Sequence, residues 1–356
     1  MDLDFFSQSI AEICSHSLIA PGRTIHSTII TNPSAGGFTI RSRWKTHLRT
    51  LNEYREKART NPPRKTFGNY MHLTEAKGSG EKIARALIDE AGKDTQPFYL
   101  VIIAGGDGTI LEVLSAVYNA PAHVRSNMAV LRLPMGTGND GADSVCLAGA
   151  LDLLIKPSHI VYAPVLRLVT AVAGPAHEQG LFLAFNILSV GLDAYVTHMT
   201  NKMKGKLPGD SYKLWVDIAT LLYDRLYKVD YLDVRVLDEQ NREIRALLEK
   251  LLLLAMGASG FRTYGSGKKI LPDERNVCGV KQCSLLGKIA LKGLVVSGRH
   301  AENTGVFLFS AHRLEINGRR PILAQMDGET VLLQPEDFPI AIELTAPVIP
   351  LLKLPA

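Results

Sequence analysis

At 356 residues the chain exceeds the roughly 250 to 300 residues at which one hydrophobic core stops growing, so two domains are expected. Its 46% hydrophobic and 21% charged residues exclude a largely disordered chain. The net charge of +5 suits an anionic partner, whether phosphate, nucleic acid or acidic membrane, without choosing among them.

The first residues, MDLDFFSQSIAEIC, lack the basic start and apolar run of an export signal. Cys14, Cys146, Cys278 and Cys283 form no CxxC pair and have no His at zinc spacing, so reduced thiols in a cytoplasmic protein are expected. Residues 24–31 (TIHSTIIT) run as an apolar strand into Asn32-Pro33-Ser34-Ala35-Gly36-Gly37. The following stretch, 41–65, holds nine Lys or Arg against Glu53 and Glu56, which reads either as a solvated face or as a membrane-contacting patch. Residues 69–74 and 81–90 supply a second strand and helix. A third strand, 98–104 (FYLVIIA), enters Gly105-Gly106-Asp107-Gly108-Thr109, after which Ile110, Leu111, Leu114 and Val117 repeat at helical spacing. A fourth, 129–133, enters Pro134-Met135-Gly136-Thr137-Gly138-Asn139-Asp140. Strands alternating with helices imply a mainly parallel sheet covered on both faces, with ligands beyond the strands' carboxyl ends, where the three glycine-rich turns lie.

From about Tyr162 the texture changes to apolar, β-branched runs broken by turns: 165–173, 181–190, 231–237, 251–256, 289–297 and 305–316. These read as antiparallel β, with one amphipathic helix over 211–227 and a basic loop over 201–210 between them. Unbroken apolar runs such as 251–255 and 181–185 fall far short of the ~18 to 20 residues that cross a bilayer, so any membrane contact is expected to be peripheral.

A glycine turn after a buried strand bares main-chain N–H groups, and the helix behind it adds the positive end of its dipole; residues 105–109 are therefore suited to phosphate. An aspartate inside such a loop, as Asp107 is, repels phosphate unless a divalent cation or a transferable proton intervenes, which points to a metal or base role; the plainer alternative is a helix cap worth about 1 kcal/mol. Asp140 carries the same two readings. The chain has no GxxxxGK[ST]. Residues 136–141 satisfy GxGxxG, but after a late strand and with no acid ~20 residues on, which argues against a dinucleotide dehydrogenase. Near the end, Met326-Asp327-Gly328-Glu329 sets two carboxylates beside a glycine, a pattern that by itself also fits a plain β-turn.

Taken in order, the turn at 32–37, GGDGT at 105–109, PxGTxND at 134–140 and DGE at 327–329 resemble the diacylglycerol kinase catalytic family, which includes bacterial lipid kinases, sphingosine kinases and ceramide kinases. The resemblance runs from about Thr24 to Pro350, and GGDGT alone is shared with NAD kinases. Phe185-Asn186 with Gly191-Leu192-Asp193-Ala194 is similar to the family's FN and GxDA, and Thr74 with Lys77-Gly78 to its nucleotide-contacting strand end. One departure stands at Cys278: the residues 261–273 are similar to a glycine-rich loop that in bacterial lipid kinases leads to a magnesium-holding aspartate, and a thiol suits a hard cation poorly.

What the resemblance implies is an N-terminal three-layer α/β domain followed by an antiparallel β-sandwich domain, with the active site in the interdomain cleft. The expected division is an extension at 1–23, a nucleotide-binding domain at 24–160, an acceptor domain carrying DGE at 161–335, and a segment at 336–356 packing back on the first domain. ATP would be held by Asn32, Thr74, Gly105, Gly106, Asp107, Gly108, Thr109, Gly136, Thr137 and Asn139, with Mg2+ on Asp107 and Asp193 on the acceptor side. Glu329 is the first choice of base; Asp327 would orient it or contact metal, and Asp107 is the third candidate. The implied activity is phosphoryl transfer to the hydroxyl of diacylglycerol or a similar lipid, by a cytoplasmic, peripherally membrane-associated enzyme with no nucleic-acid partner. Two alternatives stay open: a kinase of a soluble acceptor such as NAD, and a nucleotide- or lipid-binding regulator without catalysis.

Overall fold

A computed structural model of the chain describes residues 2–172, 181–203, 223, 227–264 and 267–355. The helix expected over 211–227 lies outside the described residues apart from Tyr223 and Tyr227, as does the basic loop beyond Met203. The chain forms two units, Met1–Ala163 with Pro347–Ala356, and Pro164–Ala346.

The first unit contains α1 (Leu3–Ser15), β1 (Ile25–Thr31), α2 (Gly36–Thr39), α3 (Arg41–Ala58), β2 (Thr66–Leu73), α4 (Ser79–Lys93), β3 (Phe98–Gly105), α5 (Asp107–Asn119), α6 (Ala122–Arg125), β4 (Met128–Pro134), α7 (Leu147–Ile155) and β5 (His159–Ala163). The strands stand in the order β2-β1-β3-β4, all parallel, followed by a strand from the chain's end (Ile349–Lys353) and then β5. β1, β3 and β4 are buried at every residue, as strands covered on both faces must be. Alternate residues divide the faces. Ile25, Ile29, Leu100, Ile102, Leu131 and Leu133 join one core with α1, α3 and α7; Tyr99, Val101, Ile103 and Val130, one residue out of phase, are buried on the side where α4 and α5 pack on β1 and β3. The first helix is part of this core: Phe6 meets the Phe38 ring edge-on at 5.1 Å.

The second unit is antiparallel throughout. It contains β6 (Leu166–Val169), β7 (Leu181–Ala184), β8 (Ile187–Gly191), α8 (Leu192–Met203), β9 (Tyr231–Leu237), β10 (Glu243–Gly257), β11 (Arg262–Tyr264), β12 (Lys268–Leu271), β13 (Val277–Lys281), α9 (Leu285–Ser297), β14 (Val306–Phe309), β15 (Arg313–Asn317), β16 (Ile322–Met326), β17 (Glu329–Leu333) and β18 (Ile340–Leu344); the chain then returns to the first unit as β19 (Ile349–Lys353). β10 serves two leaves. Its half Glu243–Lys250 pairs with β9, and its fully buried half from Leu251 to Gly257 pairs with β8 and β13. The sandwich core lies between the leaves, with Leu166, Val234, Leu314 and Ile342 from one and Leu188, Val190, Leu254 and Met256 from the other. On the far face of the second leaf Leu252, Ala255 and Val280 pack with Ala194 and Tyr195 of α8. Cys278 belongs to that apolar cluster, and burial pushes its thiol pKa up to about 12.

One expectation fails locally. Residues 289–297, read as a strand, are the body of α9. Local capping decides it: Ser284 at the N-cap accepts from the Gly287 amide, and Gly298, at φ 78°, closes the last turn.

Candidate active site

Because β1, β3 and β4 are neighbours and parallel, their carboxyl ends bring the three glycine turns side by side. The turns touch through main chain. The Gly37 amide donates to the Met135 carbonyl at 2.7 Å. A side chain at Gly136 would place its Cβ 2.6 Å from the Gly106 Cα, and one at Gly37 would meet the Met135 backbone at 2.9 Å. Asn32 ties the first turn to the second, its Nδ2 donating to Thr109 Oγ1 at 3.4 Å while its Oδ1 accepts from the Ser34 amide at 2.9 Å. Thr74 closes the row from β2, its amide donating to the Thr31 carbonyl at 2.9 Å. Thr137 and Gly138 are exposed at the tip of the third turn.

The cap position of α5 is Gly106, which has no side chain, so the helix's first N–H groups, at Asp107, Gly108 and Thr109, have no carbonyl of their own helix to bond. Nothing stands within 4 Å of where a Cβ of Gly108 would be. This end therefore offers amides and about half a positive charge to an anion. Asp107 is the first residue of the helix rather than its cap; its Oδ1 accepts from the Gly141 amide at 3.0 Å. Its Oδ2 and that of Asp140 face one point: a Cβ at Gly138 would lie 3.0 Å from the first and 3.4 Å from the second. Asn139, at φ 63°, keeps its Oδ1 buried and without a hydrogen-bond partner. Carboxylates converging beside the amides of a helix N-terminus are the hard oxygen set that magnesium takes, usually one or two carboxylates completed by phosphate and water, so the residues present fit that ion. Among the described residues no three His, Cys, Asp or Glu side chains gather as a metal cluster.

Three features escaped the sequence reading. Arg43, on α3, donates to the Gly136 carbonyl at 3.0 Å and so reaches the third turn from the basic stretch. Glu112, on α5, accepts from the Gly78 and Gly80 amides at 2.7 and 2.9 Å, filling the N-terminus of α4 with a carboxylate instead of leaving it for a ligand. Arg132 and Asp143 form a buried pair at 2.6 Å that staples the loop after β4 back onto the strand. Each joins residues far apart in sequence, and none sits in a local motif.

In the second unit Asp327 and Gly328 are the two loop residues of the β16–β17 hairpin, with Met326 paired to Glu329. Both have positive φ, 46° and 99°, as a type I′ turn requires. The turn reading of DGE is the one this hairpin bears out. The Asp327 carboxylate is occupied by main chain, accepting from the amides of Phe185, Asn186 (3.1 Å) and Ile187 (2.9 Å). Asn201 of α8 donates to the Gly328 carbonyl at 2.7 Å, and the Gly328 amide donates to Gln325 Oε1 at 3.0 Å. Glu329 follows, half-buried, as the first residue of β17. Asp193 stands in the first turn of α8, where Ser189 Oγ donates to its Oδ2 at 2.7 Å. Burial holds its carboxyl above the ordinary aspartate range, against the pull of hydrogen bonds from Ser189 and Gln325 and of the Lys268 charge. Gln325 thus links Asp193 to the DGE hairpin.

The comparisons agree with this geometry. The family model described as "Diacylglycerol kinase catalytic domain" matches residues 26–160. A Yersinia enterocolitica protein named "Probable lipid kinase YegS-like" is 29% identical over 237 residues, covering 64% of this chain and 71% of the relative. A Bacillus subtilis protein named "Diacylglycerol kinase" is 24% identical over 312 residues, covering 87% and 91%. The crystal structure of a diacylglycerol kinase from Bacillus anthracis shares the fold at a TM-score of 0.55 and 18% identity, over 93% of this chain and 97% of that one. Residues 26–160 thus match the diacylglycerol kinase catalytic domain, and relatives named as a probable lipid kinase and a diacylglycerol kinase, both phosphotransferases, extend the likeness across both units.

Proposed function

We propose that the chain is an ATP-dependent, magnesium-requiring lipid kinase that phosphorylates the hydroxyl of diacylglycerol or a closely similar lipid at a membrane surface. The observation that carries this reading is the main-chain interlock of the three turns, Gly37 on Met135 and Gly136 on Gly106, at the open N-terminus of α5 beside Asp107 and Asp140. The names of the relatives support the acceptor class. Among the described residues no helix is long and apolar enough to cross a membrane, which suits contact from one side.

Phosphoryl transfer asks mostly for positioning and charge neutralisation. The turn amides and the α5 dipole hold the phosphates, and Asn32, Thr74, Thr137 and Asn139 flank them. Asp107 and Asp140 would hold magnesium, which would neutralise the charge that develops on the phosphates. Glu329 takes the acceptor's proton as its oxygen attacks the γ-phosphorus; the bond to the bridging oxygen breaks and ADP leaves. Asp327, committed to three amides, is a positioning residue that fixes the hairpin on which Glu329 stands. Asp193, held toward its neutral form, serves the acceptor side as a hydrogen-bonding group.

The test offers labelled ATP and magnesium with vesicles containing diacylglycerol, ceramide or sphingosine, and with NAD as a soluble acceptor. Label is expected in diacylglycerol, and Glu329→Gln is expected to lower kcat by about 10²- to 10⁴-fold, the usual contribution of a general base, with ATP affinity retained. Label in NAD alone overturns the acceptor class. Wild type that binds ATP and transfers it to nothing overturns the enzyme reading.

A further inference from the structure

α9 turns its apolar side outward. Leu285, Leu286, Ile289 and Val296 are each more than half exposed, Leu286 at 78%, while the side chain the helix buries is Lys288, 5% exposed, with its Nζ 5.9 Å from the Tyr223 ring centre. At about 100° per residue the four apolar side chains fall within one arc of roughly 100°, with Lys292 at its border. A surface helix ordinarily points such a stripe at the core, and soluble proteins seldom leave one bare. The helix does not depend on a partner for its shape, since Ser284 and Gly298 cap both ends.

The charge around the stripe favours an anionic surface. α9 carries no carboxylate, Lys292 at the border of the stripe is exposed, and from Glu274 to Glu302 the intervening chain has no acidic residue. A second copy of the chain is a poorer occupant. Stable dimers bury about 20 to 30 residues a side, far more than one helical stripe supplies, and a symmetric contact would set like charges against each other. A bilayer asks less: an interfacial helix needs its apolar face to enter only ~5 to 10 Å, with cations at the headgroups.

We propose that α9 is the element that seats on the membrane, its stripe Leu285, Leu286, Ile289 and Val296 entering the boundary between headgroups and acyl chains and Lys292 lying at the anionic headgroups. The choice of a bilayer as occupant rests on the lipid-kinase reading.

The test is sedimentation of the full chain with phosphatidylcholine vesicles containing about a third phosphatidylglycerol, without ATP. Leu286→Glu/Ile289→Glu is expected to weaken partitioning by at least about tenfold, since two large apolar side chains leave the lipid phase. Its melting temperature and its kcat on a soluble short-chain diacylglycerol should stay at the wild-type values, and activity on vesicle-borne diacylglycerol should fall with binding. Leu286→Ser/Ile289→Ser serves if the acidic pair lowers the melting temperature. Equal partitioning of wild type and both variants overturns the proposal, and so does a wild-type dimer that the variants dissolve without change in vesicle binding. If the variants lose vesicle binding while wild type phosphorylates no lipid, docking through α9 stands and the kinase reading falls. If wild type and variants phosphorylate vesicle-borne diacylglycerol alike, the kinase reading stands and α9 falls.

Discussion

Two aspartates of the second unit do different work because their surroundings differ. Asp327 gives its oxygens to three consecutive amides, an arrangement that suits the charged form, and its positive φ is tolerated because Asp, like Asn, visits the left-handed region more readily than most residues. Asp193 is set among polar groups that pull its pKa down, and burial still wins. The sign of its effect on stability follows. A carboxyl whose pKa is raised on folding keeps a proton that the unfolded chain has lost, so its contribution is fully present below the ordinary aspartate value and drains away as pH rises through the raised one. Denaturation of wild type from pH 4 upward should therefore show stability falling across the window just above pH 4, and Asp193→Asn, which carries no proton to lose, should flatten that part of the curve. Equal slopes in the two proteins would mean that another group governs the window.

At the scale of elements the decisive contacts are between turns. Alanine at Gly136 would drive its Cβ to 2.6 Å from the Gly106 Cα, backbone against backbone, so one turn must move. Gly136→Ala is expected to weaken ATP binding by tenfold or more, with a stability loss of about 1 to 3 kcal/mol, read by calorimetric titration and thermal melting. Gly108→Ala is the stability control: its Cβ meets nothing within 4 Å and the position is helical, so its melting temperature should hold or rise slightly. The location of these turns was legible, because apolar runs that end in glycine clusters mark strand ends whatever surrounds them. Their mutual contact was not. Gly136 is glycine on account of Gly106, thirty positions away, and Arg43, Glu112 and the Arg132–Asp143 pair likewise answer to partners that no local spacing reveals. The Asp-Gly pair at 327–328 carried a turn signal that the hairpin bears out, and the same turn sets Glu329 at the start of β17. α9 was misread because its apolar residues come in short runs, at 285–286, 289–291 and 294–296, which fit a strand as readily as a helix and leave the caps at Ser284 and Gly298 to decide.

Across the whole molecule the chain's two ends share one sheet. β19 lies between β4 and β5, parallel to the first and antiparallel to the second, and buries Ile349, Leu351 and Leu352. Residues 1–163 alone thus lack an inner strand: β5 loses the strand it pairs with, and β4 is left as a bare edge that invites association. Three buried side chains at about 1.5 to 3 kcal/mol each are a large part of the stability of a unit this size. The Val348 amide donates to the Ala163 carbonyl at 3.0 Å, so the two ends of the unit meet and a short Gly-Ser linker can join Ala163 to residues 347–356 in place of the second unit. The joined fragment should unfold cooperatively and bind ATP, whereas residues 1–163 without the added strand should melt at least about 10 °C lower, at 2 to 4 °C per kcal/mol, or aggregate. Circular dichroism melts of both fragments decide it. Matching transitions would mean that the first unit holds together without its last strand, and that the return of the chain from Ile340–Leu344 to Ile349–Lys353 contributes little to the fold that presents the three turns.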